Sequence, residues 1–134
     1  MLAMRNPREA YTRVDLDARV AGAGPRQLVA LCYEQLSAAI ASALFAHEAG
    51  NNQAKARAIT RALSAVTALQ LGVAGEEGVA GSLHRFYGSV RKALLDAALD
   101  FAPRRLTAIR ADLIEIAGAL HGLGGPADII QTDS

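Results

Sequence analysis

Apolar positions along the chain recur at helical spacing in four separate runs. In "RQLVALCYEQLSAAIASALFAHE", Leu28, Cys32, Leu36, Ala39 and Ala43 form one stripe, with Leu31, Ile40 and Leu44 close beside it. That face is broader than one partner helix needs. Pro25 suits the first turn, where a missing N–H costs nothing, and Gly24 falls at the N-cap. "GNN" at 50–52 stops this helix and offers asparagine caps to the next. A second run, about 53–71, repeats Ala56, Ile59, Leu63, Val66 and Gln70 at alternating steps of three and four, with Arg57 and Arg61 together on another face. After the glycine-rich "GVAGEEG", a third run over about 78–101 carries Val79, Leu83, Phe86, Val90, Leu94 or Ala93, Ala97 and Phe101 as a heptad seam. Tyr87, Leu95 and Leu99 form a second flank of that helix. Pro103 opens the fourth run, whose seam is Leu106, Ile109, Leu113, Ile116 and Leu120. Gly122, Gly124, Gly125 and Pro126 end it.

Four amphipathic helices joined by short turns predict an all-α fold, an antiparallel up-and-down four-helix bundle over 25–121. Residues 1–24 hold Pro7, Gly22 and Gly24 among scattered charges, which suits a mobile N-terminal arm with one short helical turn between Pro7 and Val14. The last stretch, 122–134, reads as a frayed tail. At 134 residues, with no internal repeat, the chain is expected to form one domain.

Composition refines this picture. The apolar fraction is 51%, yet the chain has three Phe, three Tyr and no Trp, so alanine supplies much of the core and the helices must pack closely. Fourteen basic residues against thirteen acidic ones give a net charge of +1, far from the balance of a dedicated nucleic-acid binder. Arg57, Arg61, Arg104 and Arg105 read as solvated charges without interleaved aromatics. A single cysteine, Cys32, and a start, "MLAMRNPREA", without a secretory apolar region point to the cytosol. Charges or Gln interrupt every apolar stretch, so no membrane span is expected.

Few residues of the chain could carry chemistry. His47, His84 and His121 lie in different helices without ligands at helical spacing, so no metal is expected, and nothing in the chain calls for a cofactor. Cys32, on the main stripe between Leu28 and Leu36, reads as a small apolar core residue. "GEEGVAG" lacks the Gly-Lys-Ser/Thr ending of a phosphate loop and carries two glutamates that repel phosphate. His84, followed by Gly88 and Ser89, has the surroundings of a phosphotransfer histidine in a helical bundle. However, Tyr87 stands where a basic residue belongs and Arg85 points about 100° away. Phosphotransfer at His84 is therefore an alternative reading, as is a plain homodimeric bundle.

"NPREAY" near the start, "GPRQLVALCYEQL" opening the first helix and "GEEGVAGSLHRFYGSV" opening the third resemble the FliS family of flagellin export chaperones over about Asn6 to Leu120. In the arm, Asn6, Pro7 and Tyr11 match the family pattern, while Arg8 replaces its first tyrosine. Pro25, Leu28, Leu31 and Tyr33 match in the first helix, with Gly24 at the cap and Glu34 in place of an aspartate. In the third, Val79, Ala80, Leu83, Phe86 and Tyr87 match, with Ser82 in place of an asparagine.

The resemblance implies a cytosolic chaperone without catalytic activity that holds the disordered C-terminal segment of flagellin in surface grooves. It also implies delivery to the cytosolic part of the flagellar export gate, and an arm (Asn6, Pro7, Tyr11) that folds over part of the groove of a free monomer or weak homodimer. The residues themselves point the same way. Second flanks at Leu31, Ile40 and Leu44, and at Tyr87, Leu95 and Leu99, are expected to expose apolar surface, which usually means a partner. Gly88 leaves a gap beside them for a ligand's backbone. The expected partner-binding set is Tyr11, Leu31, Ile40, Leu44, Phe86, Tyr87, Gly88, Leu95 and Leu99.

Overall fold

The computed structural model describes Gly22 and residues 24–122. Apart from Gly22, Gly24 and Gly122, the expected arm, with Asn6, Pro7 and Tyr11, and the expected tail lie outside these residues. Four helices follow one another: α1 (Pro25–Glu48), α2 (Asn52–Gly72), α3 (Val79–Leu99) and α4 (Pro103–Gly122). No strand occurs among the described residues. The connections are three, six and three residues long (49–51, 73–78 and 100–102), which returns each helix alongside the one before it. α1 packs most extensively on α2, then α2 on α3 and α1 on α4, while α3 and α4, though consecutive, touch much less.

Local chemistry sets the turns. The α1 C-terminus is closed by Gly50 at φ +70°, which lets the Asn51 N–H reach the Ala46 carbonyl (2.9 Å) and the Gly50 N–H reach the His47 carbonyl (3.1 Å). Asn51 then caps α2, its Oδ1 accepting from the Ala54 N–H at 3.0 Å. At the start of α1 the Gly24 N–H donates to Gln27 Oε1 at 3.2 Å. The third helix ends before the expected Phe101. That residue sits half-buried in the turn, its ring stacked on His47 with centroids 4.4 Å apart.

Leu36, Ile40, Val66, Val90, Leu94, Leu106 and Leu113 are fully buried, with Ala39, Ala43, Ala58, Ala62 and Ala97 between them. Alanine at these positions brings the helix axes close, and the bulkier side chains then interdigitate. Two arginines tie neighbouring helices at the edges: Arg91 of α3 donates to Thr67 Oγ1 of α2, and Arg110 of α4 donates to the Ser37 carbonyl of α1 at 3.1 Å.

Between Gln27 and Glu48, α1 is long and apolar enough, by length and composition alone, to cross a bilayer. Its alanines raise the average across Glu34, although charges or Gln still break every apolar run. A core helix passes the same test, and Leu36, Ala39, Ile40 and Ala43 of α1 lie inside the bundle.

Candidate functional site

Large apolar side chains are exposed on all four helices, Leu28 and Phe45 on α1, Leu71 on α2, Val79, Leu95 and Leu99 on α3 and Ile114 on α4, and the expected groove residues among them lie on α3. Gly88, Leu95 and Leu99 are spaced seven and four apart, which puts them on one face of the helix. Leu99 is 92% exposed and Leu95 49%. A Cβ on Gly88 would meet nothing within 4 Å. Because α3 and α4 barely touch, a cleft of about 390 Å³ opens between the end of α3 and the start of α4. Ala93, Ala97 and Leu106 are buried beneath it, while Leu99, Asp96 and Arg105 form its rim. The carboxylate of Asp96 accepts from Lys92 at 3.1 Å and from Arg105 at 3.3 Å. The Lys92 hydrogen bond, followed by Arg105, holds that carboxyl below the usual range. An apolar strip beside a slot with charges at its lip is chemically suited to gripping a peptide's side chains.

Other residues expected in the groove lie elsewhere. Ile40 and Tyr87, expected on exposed flanks, belong to the core, and Leu31 is buried as well. A helix in a four-helix bundle faces two neighbours and looks across at the third, so both apolar flanks of α1 fit inside. Leu44 and Phe86 are half-buried against the core. Tyr87 is held by Tyr33: their hydroxyls hydrogen-bond and their rings meet edge-on with centroids 6.2 Å apart. Burial raises the ionisation of both phenols above the ordinary tyrosine value; for Tyr87, where the rise is large, the proximity of Tyr33 adds to it, while at Tyr33 the hydrogen bond with Tyr87 opposes it. Cys32 is half-buried against the core, and burial pushes its thiol up.

His84 has a role the sequence did not disclose. Its Nε2 lies 3.1 Å from the Gly75 carbonyl in the α2–α3 connection. A carbonyl only accepts, so Nε2 carries the proton. One turn earlier, a Cβ on Gly81 would come 2.5 Å from the Glu76 carbonyl oxygen. The connection thus lies directly on the first turns of α3, and the densely spaced glycines of "GVAGEEG" were the available signal. At the opposite end of α3, Lys55 Nζ lies 3.1 Å from His47 Nδ1 and 4.8 Å from the Phe101 ring centroid, fastening the α1–α2 and α3–α4 turns together. No group of three His, Cys, Asp or Glu able to hold a metal occurs among the described residues.

A helical bundle with an uncovered apolar strip has the kind of surface that marks an interaction site. The family model described as flagellar protein FliS matches residues 7–123. The chain belongs to the FliS family, a chaperone family of flagellar export. No curated protein matches the chain.

Proposed function

We propose that this protein is a cytosolic export chaperone that binds the C-terminal segment of flagellin, keeps it from polymerising prematurely and delivers it to the cytosolic part of the export gate. Membership of the FliS family supports the flagellar role, and the exposed pair Leu95 and Leu99 beside the α3–α4 cleft is the observation that carries the docking site. Covering a fully exposed leucine contributes about 1.5–3 kcal/mol. Ordering a disordered segment opposes binding, so several such contacts along an extended ligand are required. The apolar strip, the space over Gly88 and the cleft together provide a run of them. Release then needs no covalent step, since binding is stoichiometric and reversible.

Phosphotransfer at His84 has less support, because the Nε2 proton faces the Gly75 carbonyl and no cation takes the place of Tyr87. Calorimetry with the C-terminal segment of flagellin tests the proposal. A one-to-one complex is expected, weakened about tenfold or more by Leu99→Asp together with Leu95→Asp. No heat of binding at micromolar concentration would sink it.

A further inference from the structure

We propose that the outer face of α2 is a second docking surface, and that its occupant is a helical segment of another protein with carboxylates at one end and apolar side chains at the other. Arg57, Arg61, Ser64, Ala68 and Leu71 follow one another at steps of four, three, four and three, and all are exposed. They form one row along the helix, about 21 Å long at 1.5 Å per residue. It runs opposite the buried face of Ala58, Ile59, Ala62, Val66 and Leu69.

Two features set this row apart from an ordinary solvated face. First, α2 contains no acidic residue, its charges being Lys55, Arg57 and Arg61. Neither Arg57 nor Arg61 makes a hydrogen bond or ion pair among the described residues. Arg104 of α4 also makes none, whereas Arg85, Arg91, Arg105 and Arg110 are engaged, by Ser82, Thr67, Asp96 and the Ser37 carbonyl respectively; Arg57 and Arg61 are the two unpaired arginines that stand one turn apart on one face. Second, the other end of the row closes on Leu71, which is 83% exposed, with the small Ala68 one turn before it. Two guanidinium forks one turn apart match two carboxylates one turn apart on a facing helix. Exposed ion pairs contribute little affinity by themselves. They set register and direction, while covering Leu71 supplies the binding.

The arrangement favours a helix over a lipid surface. A membrane-lying helix needs an apolar face along its whole length with cations at its flanks, and the continuous apolar face of α2 is spent on the bundle core. Here charge and apolarity are separated end to end along one row. α2 packs on α1 and α3, so this face is distinct from the α3–α4 cleft and does not depend on what occupies it.

The test is to pan a displayed library of helical peptides about six turns long, with charged and apolar positions randomised, against the full chain. Enriched peptides should carry two carboxylates one turn apart and large apolar residues two to three turns further on. Their affinity should fall about tenfold or more for Arg57→Glu with Arg61→Glu, and severalfold for Leu71→Ser. Exchanging the peptide carboxylates for lysines should restore binding to the charge-reversed protein. These positions are exposed, so circular dichroism should show unchanged helicity, and binding of the flagellin segment should persist. The proposal is overturned by no enrichment, by enriched peptides indifferent to these substitutions, or by wild-type protein that binds phosphatidylserine vesicles and no peptide.

Discussion

Tyr33 of α1 and Tyr87 of α3 meet through their hydroxyls inside the bundle, a contact between residues 54 positions apart. Each ring is almost wholly covered, so each hydroxyl depends on the other for its hydrogen bond. Tyr87→Phe leaves the Tyr33 hydroxyl buried without this partner and should destabilise the protein by about 1–3 kcal/mol. Replacing both by Phe removes the need for a partner and should cost less than the sum of the two single changes. Urea denaturation of the four proteins in the cycle measures the coupling, and strictly additive losses would show that the pair does not act as a unit.

The same pair predicts an alkaline limit to stability. Both phenols have folded-state values raised above the unfolded one by burial. Stability from this source is fully present below the unfolded tyrosine value of about 10 and is lost as pH rises above it, because only the unfolded chain then releases the protons. Spectrophotometric titration followed together with circular dichroism should show these two phenols ionising only as helicity disappears. Ionisation of both near pH 10 with the helices intact would contradict the buried geometry.

The four helices were legible because periodicity and punctuation agreed. Pro25 and Pro103 begin helices, Asn51 caps one, and Gly50 ends another, each for reasons local to a few residues. The site was less legible because the width of an apolar face does not reveal which edge stays outside. Ile40 and Leu95 both read as second-flank residues, yet Ile40 lies in the core and Leu95 faces solvent. The difference comes from helix arrangement: α1 is held between α2 and α4, whereas α3 lacks close contact with α4. His84 likewise could not be assigned from its own helix, since its partner carbonyl is nine residues away in the preceding connection.

That connection gives a further prediction. Gly81→Ala would add a methyl 2.5 Å from the Glu76 carbonyl oxygen, a backbone atom that cannot swing aside as a side chain can. Overpacking of this kind costs about 1–3 kcal/mol and exceeds the helix-propensity gain of about 0.5–1 kcal/mol. Thermal denaturation should show a lower midpoint. Hydrogen exchange should show faster exchange at the Gly81 and Ser82 amides, which now bond to the Glu77 and Gly78 carbonyls at 3.4 and 3.0 Å. A variant as stable as the wild type would mean that the connection does not rest on α3 in solution.

Gly88 should respond in the opposite way. A Cβ there meets nothing within 4 Å and the residue lies mid-helix, so Gly88→Ala should stabilise the free protein by about 0.5–1 kcal/mol. A residue that costs stability in the free state is explained if the bound chain uses the space it leaves. Flagellin's C-terminal segment, running along the strip from Leu99 past Leu95, would then bring its backbone against α3 at this point. Under that geometry the same substitution weakens the complex while it strengthens the bundle. Paired denaturation and calorimetry on the one variant separate the two effects: higher stability with lower affinity supports docking over Gly88. Higher stability with unchanged affinity would move the ligand away from that turn, leaving Leu95, Leu99 and the α3–α4 cleft as the contact.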